Sequence, residues 1–294
     1  MTKPLFNRAC FIGIGMIGSS LARALREHNI ARDIVCADIN TAYRKQALKL
    51  KIVNEAHASA AKAVKGADLV VLAAPIGANK AIMQQLAKHL EPGCILTDVG
   101  SVKGSVIADV APLVPDGVHF IPGHPIAGGE KSGPEAGDAG IFKGRWSILT
   151  PLPRTNKTAL RKLEQMWKRC GSMVEIMTAP RHDRTLAITS HLPHLIAYTI
   201  VDTAANLESD LKADIIKFSA GGFRDSTRMA GSDPTMWRDI FLNNPEAVLD
   251  IVQRFTEDLT VLQKAIRRGE GKLLFDTFER TREIRRKVIL AKQN

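Results

Sequence analysis

The sequence predicts an α/β protein in two parts: a parallel sheet covered by helices over residues 1–180, then an all-helical region over residues 181–294. Three observations carry this expectation. Short apolar runs bounded by Gly, Pro or Asp alternate with helix-length amphipathic stretches through the first part, the pattern of parallel strands joined by right-handed crossovers. The first of these runs ends in a glycine cluster that opens a helix. After Pro180 no further strand pattern is visible.

The elements follow in order. ACFIGIG enters the glycine turn as a strand, IGSSLARALREH follows as a helix, and DIVCAD is a second strand ending in Asp38. ADLVVLAAP, CILTDVG and VHFIPG are further strands, with NKAIMQQLAKHL as a helix between the first two. WSILT and SMVEIM are expected to add strands beyond the core of that sheet. HDRTLAITSHLPHLIAYTIVDTAANL reads as one long helix carrying Pro193, a residue that kinks helices. Ser232 and Asp233 before Pro234, and Asn244 before Pro245, are helix starts: a capping residue followed by proline at the first helical position. Val248, Ile251, Val252, Phe255, Leu259, Leu262 and Ile266 then keep to one helical stripe.

Composition narrows the classes of function. The chain has 294 residues, 45% of them hydrophobic, which suits a folded chain with a sizeable core. Its net charge of +11 favours anionic partners. Nucleic acid is not expected, because only 5% of residues are aromatic and no basic run is interleaved with them. The basic stretch from Arg280 to Lys292 reads as the solvated face of a last helix. Cys10, Cys36, Cys94 and Cys170 are far apart with no CxxC pair, so reduced thiols in a cytoplasmic protein are expected. The N-terminus lacks the pattern of a signal peptide, and the longest apolar stretch is shorter than the roughly 20 residues a membrane helix needs.

The chemistry concentrates at strand ends. Gly13, Gly15 and Gly18, with Met16 and Ile17 between them, form GxGxxG after a strand and before a helix. Such glycines serve a tight turn, close approach of a pyrophosphate to the backbone, and helix–strand packing, in a Rossmann-type domain. Asp38 is spaced to accept hydrogen bonds from an adenosine ribose, which points to NAD over NADP. LAAPIG, with Pro75, LTDVGSVKG, with Ser101, and IPGHPIAGGE, with His124, all fall at the carboxyl ends of strands, where ligands of such sheets gather. Pro75 is accordingly placed with the cofactor. Ser101 reads as a helix cap, a role it could hold alongside one at the site. His124 stands between Gly123 and Pro125, so it is expected on an accessible turn, with an intrinsic pKa suited to proton transfer. His191 and His194 are helical neighbours, but no third ligand accompanies them, and contacts to an anionic substrate are favoured over metal. Arg228, held between glycine breaks, reads either as a carboxylate clamp or as a surface arginine pairing with Asp225 or Asp233.

GIGMIGSS, LTDVGSVKG, GHPIAGGEKSGP, SHLPH and GGFRDSTRMAGSDPTMWRDIFLNN together resemble the prephenate and arogenate dehydrogenases of tyrosine biosynthesis, the cyclohexadienyl type above all. The resemblance implies an NAD-binding Rossmann domain, a helical dimerisation domain and hence a homodimer, and NAD-dependent oxidative decarboxylation of a cyclohexadienyl alcohol. It implies that His124 is the catalytic histidine and that Ser101 hydrogen-bonds near it and the nicotinamide. His194 and Arg228 would bind substrate, and Glu130 falls on an acidic position at the mouth of the site. Gly129 and Ser226 depart from the family pattern, where a hydroxyl residue and an aromatic are common. Two other readings compete: a beta-hydroxyacid dehydrogenase, for which no helical lysine motif stands out, and a regulator that binds NAD without turning it over.

Overall fold

The computed structural model describes residues 3–129, 131–207 and 217–290. The chain divides into two compact units, Met1–Asn244 and Pro245–Asn294.

The first unit is built on six parallel strands: β1 (Phe6–Ile12), β2 (Ala31–Ala37), β3 (Glu55–His57), β4 (Leu69–Leu72), β5 (Ile95–Asp98) and β6 (His119–Phe120). Their spatial order is β3-β2-β1-β4-β5-β6, so the direction of winding reverses between β1 and β4. Ile12 is in register with both Ala37 and Leu72, and the loops after β1, β2 and β4 therefore leave the sheet at one level. A crevice at such a switch point is where doubly wound sheets hold their ligands. Both faces are covered, which is why the strands read as continuous apolar runs. Phe11 and Val71 face one core cluster, with Leu21 and Leu25 of α1 (Met16–Glu27) and Trp167 of α6 (Lys157–Arg169). Cys10, Ile12, Val70 and Leu72 face the other, with Met83 and Leu86 of α4 (Asn79–Leu86).

Two expectations about strands need correction. VHFIPG does not continue as one strand; after β6 the chain leaves the sheet, and Gly123–Pro125 forms β7 of a second, three-stranded sheet. WSILT and SMVEIM supply its other strands, β8 (Trp146–Leu149) and β9 (Met173–Ile176), in the order β7-β8-β9. The break falls at Pro122, which has no N–H to carry the ladder on after the Ile121 amide bonds the Leu96 carbonyl at 2.9 Å.

Strands end at Ile176 among the described residues, in agreement with the change of pattern near Pro180. The long helix expected from His182 is α7 (Ala179–Leu186), a wide π-helical turn over Ala187–His191, and α8 (Leu192–Ala205). Pro193 lacks an N–H and its ring crowds the carbonyl four residues back, so the widened turn just before it relieves both problems. α9 (Gly221–Thr227) and α10 (Pro234–Asn243) follow, the latter capped by the Asp233 carboxylate on the amides of Thr235 and Met236. Trp237 and Ile240 of α10 are buried in the core cluster on the α4 face of the sheet, which ties this helix into the first unit.

The second unit is α11 (Pro245–Arg268) and α12 (Gly271–Leu290), joined through Gly269 in the left-handed region and Glu270. Leu259, Ile266, Phe275 and Phe278 are more than half exposed on it.

Candidate active site

The glycine turn has the geometry its sequence implies. Gly13 has φ +96°, and a Cβ there would lie 2.5 Å from the Ala73 carbonyl oxygen of the β4 exit loop. A Cβ on Gly18 would lie 2.5 Å from the Gly13 carbonyl oxygen, so α1 packs directly against the turn. Gly15, which precedes α1, differs: a Cβ there would meet nothing within 4 Å. The open space lies at the start of α1, where the first-turn amides are unsatisfied and the helix dipole is positive, so the site fits a pyrophosphate. Asp38, at the end of β2, accepts the Ile14 amide at 2.8 Å through one carboxylate oxygen and the Asn40 amide at 2.8 Å through the other. It is thereby fixed beside the glycine turn, half-buried, with lone pairs left for a ribose hydroxyl. Pro75 is exposed in the loop after β4, at the same edge of the sheet. This geometry fits a dinucleotide.

His124 is not on an open turn. It lies in β7, paired with Ile148 of β8, and is only 8% exposed. Its Nδ1 is 2.8 Å from Nε2 of His182 on α7, and the Nδ1 of His182 is 2.7 Å from an Asp183 carboxylate oxygen. Asp183 also accepts the backbone amides of Lys103 and Gly104 at 2.8 and 2.7 Å. It thus caps α5 (Gly104–Val110), a helix whose own N-terminal residues make no side-chain cap. That removes the capping role read for Ser101: the capping falls to Asp183, and Ser101 sits half-buried in the loop between β5 and α5. The same loop is clamped to β7. Buried Lys103 pairs with buried Asp98 and donates to the Gly123 carbonyl at 2.6 Å, while Asp98 accepts the Gly123 amide at 3.1 Å.

Burial dominates the electrostatics. It pushes His124 well below the ordinary histidine value, helped by His182, Lys103 and His191, so His124 is neutral at physiological pH. Burial lowers His182 as well, against the opposing pull of Asp183. For Asp183 burial acts to raise the carboxyl, but the bonds from His182 and the Lys103 and Gly104 amides outweigh it and hold the group ionised.

His191 and His194 do not converge as a ligand pair. His191 is buried in the π-turn, with Nδ1 3.3 Å from the Asn244 amide nitrogen and Nε2 without a partner. Burial brings it down to about 4. His194 donates from Nδ1 to the Ser190 carbonyl at 2.9 Å and stacks on Trp237, with ring centroids 3.5 Å apart. Its pKa is lowered chiefly by burial and also by the positive charge of Arg228, which lies close by. Arg228 is exposed and lines a cavity of about 350 Å³ with Met16, Gly129, Lys131, Ala136 and Ile141. The cavity therefore joins the arginine to the glycine turn. Gly129 keeps its wall open, since a Cβ there would touch only the Met16 methyl at 4.0 Å. Glu130 lies outside the described residues.

The sequence reading missed His182, Asp183, the Asp98–Lys103 pair, Asn244 and Trp237. A signal existed for the pair, because two charged residues flank Ser101 in a stretch otherwise small and apolar. His182 and Asp183 gave none; they read as ordinary polar residues opening a helix.

A dinucleotide turn at the switch point of a doubly wound sheet, with a neutral histidine at the adjacent strand ends, defines a nucleotide-dependent oxidoreductase. Residues 21–176 match the nucleotide-binding domain of prephenate dehydrogenase, and residues 178–280 match the prephenate dehydrogenase dimerization domain. The chain belongs to the prephenate dehydrogenase family. It is 36% identical to the cyclohexadienyl dehydrogenase of Zymomonas mobilis over 96% of both chains. The crystal structure of prephenate dehydrogenase from A. aeolicus in complex with hydroxyphenyl propionate and NAD+ superposes with a TM-score of 0.90 at 34% identity, covering 96% of this chain and 98% of that one. Synechocystis arogenate dehydrogenase gives a TM-score of 0.81 at 26% identity, over 96% and 99% of the two chains.

Proposed function

We infer that the chain catalyses the NAD-dependent oxidative decarboxylation of prephenate, arogenate or both, with His124 as the group that handles the substrate's hydroxyl proton. The observation that carries this reading is the state of His124: neutral, with Nδ1 engaged by His182 and Nε2 making no hydrogen bond among the described residues. Family membership and the open cradle at Gly15 supply the rest of the reaction class. Bound NAD supplies the hydride acceptor.

As the ring carbon gives up hydride, its hydroxyl O–H breaks and the proton moves to Nε2 of His124. The ring oxygen becomes a ketone conjugated with the carbon that bears the carboxylate. Loss of carbon dioxide then leaves its electron pair in the ring, which becomes aromatic, and the former ketone oxygen needs a proton again. His124 returns the one it took. The overall change releases no proton, so a buried base with little access to solvent suits the reaction. Ser101 is assigned to hydrogen-bond near this centre from the β5 loop that Lys103 clamps to Gly123. His194, Arg228 and the buried His191 Nε2 are assigned to the anionic substrate, with Glu130 at the mouth. Met16, Ile17 and the three glycines hold the pyrophosphate, Asp38 the ribose, and Pro75 borders the cofactor.

The test is NADH formation from prephenate and arogenate side by side, on the unmodified protein and on His124→Asn. Turnover should fall roughly 100- to 10,000-fold in the variant, the range for a positioned acid or base, with the melting temperature and substrate binding retained. A well-folded variant with near wild-type turnover refutes the assignment.

The same reading makes the protein a homodimer. It is supported by the dimerization-domain match and by the exposed apolar residues on α11 and α12. Light scattering should give twice 32.1 kDa; a monomer mass at micromolar concentration counts against it. A cytoplasmic location accords with four free, buried cysteines. Among the described residues, no helix is long and apolar enough to cross a membrane.

A further inference from the structure

Asp183 cannot be a donor in its network. It faces two backbone amides, from Lys103 and Gly104, and both are obligate donors, so its two oxygens accept. The His182 Nδ1 next to the same carboxylate must then carry the hydrogen. A neutral imidazole has one N–H, so His182 Nε2 is bare and accepts. Its partner at 2.8 Å is His124 Nδ1, which must donate. By the same count His124 Nε2 is bare. Starting from two amides on a helix, the network dictates which nitrogen of a histidine in another sheet is free to take a proton.

We propose that His182 and Asp183 are positioning residues for His124: they fix it in the Nδ1–H tautomer and stabilise the positive charge it carries between hydride transfer and aromatisation. The proposal rests on His124 being the proton acceptor, and it adds what makes it one. Free histidine favours the other tautomer, in which Nε2 holds the hydrogen and has no lone pair to offer. An unaided His124 would therefore meet the substrate hydroxyl mostly in the wrong form. When Nε2 takes the proton, the imidazolium donates from Nδ1 to His182, and the Asp183 carboxylate supplies the counter-charge one ring further on. This division of labour, a carboxylate orienting an imidazole without being protonated itself, is known in hydrolytic triads; here a second imidazole is interposed. Nothing in the relay reaches solvent, for His182 is fully buried and Asp183 nearly so. A proton that is only borrowed needs no exit.

The experiment has two arms. In the first, ¹⁵N spectra of the histidine-labelled, unmodified protein without substrate should show His124 and His182 both protonated at Nδ1 and bare at Nε2. His124 protonated at Nε2 overturns the proposal without any variant. In the second, His182→Gln is compared with His182→Leu. The glutamine can place an oxygen near the former Nε2 and still accept from His124, whereas leucine fills the space without accepting. Glutamine should keep turnover within roughly tenfold of wild type, and leucine should lose at least about 100-fold in kcat with KM little changed. Leucine with wild-type turnover, or glutamine as impaired as leucine at equal melting temperature, overturns the proposal. His124→Asn in the same series separates the two levels: if it too retains turnover, the base assignment itself fails; if it is crippled while His182→Leu is not, only the relay fails.

Discussion

The three glycines of the turn are alike in sequence and unlike in space, and that contrast predicts three different alanine variants. At Gly15, φ is −67° and an added Cβ meets nothing within 4 Å, so folding should be unaffected; removing a glycine's unfolded-state freedom can even stabilise by about 0.4–1 kcal/mol. What the methyl does is occupy the approach to the first-turn amides of α1. Charge-assisted hydrogen bonds contribute roughly 1.5–3 kcal/mol, so their loss should raise the Kd for NAD by about 10- to 150-fold. At Gly18 the methyl would sit 2.5 Å from the Gly13 carbonyl oxygen and 3.2 Å from the Ala73 methyl. The backbone must give, at a cost of about 1–3 kcal/mol, partly offset by the roughly 1 kcal/mol by which alanine is the better helix former. At Gly13 the same crowding adds to a left-handed φ of +96°, itself worth about 1–2 kcal/mol against alanine. Thermal melting and calorimetric NAD titration on the three variants give the readout. Gly15→Ala should bind poorly and melt normally, Gly18→Ala should melt lower, and Gly13→Ala lowest. A Gly15→Ala protein that binds NAD like wild type refutes the placement of the pyrophosphate.

Asp38→Ser should weaken NAD and improve NADP relative to it, because the carboxylate that repels a ribose phosphate is gone while Arg44, bonded to the Asp38 carbonyl at 2.6 Å, remains; equal efficiency with both cofactors in the unmodified protein would contradict this. Arg228→Ala should raise KM for substrate by roughly 10- to 150-fold and leave NAD affinity nearly unchanged, whereas a parallel loss of both would make the arginine structural. Stability should also fall on the acid side of neutrality. His124, His182 and His191 are buried with lowered folded pKa values, so the unfolded chain binds more protons below the usual 6.5. The stability they contribute is complete above 6.5 and is lost as pH drops towards about 4, the value for His191. A melting temperature that stays flat between about pH 7 and about pH 5 would show that these histidines are not buried neutral.

How much of this was legible in the sequence depended on whether the signal was local. The glycine turn, Asp38, five of the six strands of the main sheet and the capped start of α10 are set by neighbours in the chain, and the residues announced them; the three-residue edge strand β3 (Glu55–His57), with a single apolar residue, was missed. The second sheet was not, because β8 and β9 look like any short strands and only Pro122 hints that the chain leaves the first sheet before Gly123. His124 was singled out through its flanking Gly and Pro, but the open turn they suggested is absent: those residues belong to a strand paired with β8, and the side chain is buried. Asp183 illustrates the limit. Its partners, the amides of Lys103 and Gly104, lie about 80 positions away in the chain, and no periodicity or motif records such a contact.

That remote cap has an evolutionary consequence. Most helices carry their own Ser, Thr, Asp or Asn at the start, so a cap can drift to another of these without effect elsewhere. The cap position of α5 is Lys103, whose side chain cannot accept a hydrogen bond and is committed to Asp98 and Gly123. One carboxylate on another helix serves both the fold of α5 and the imidazole beside it, and the two demands meet on one atom: Oδ1 accepts from both the Lys103 amide and His182, while Oδ2 accepts the Gly104 amide. Asparagine would satisfy one amide and present an N–H to the other, and serine could not reach both. Selection on folding and selection on turnover therefore act on the same atoms, and neither can relax at this position while the other holds.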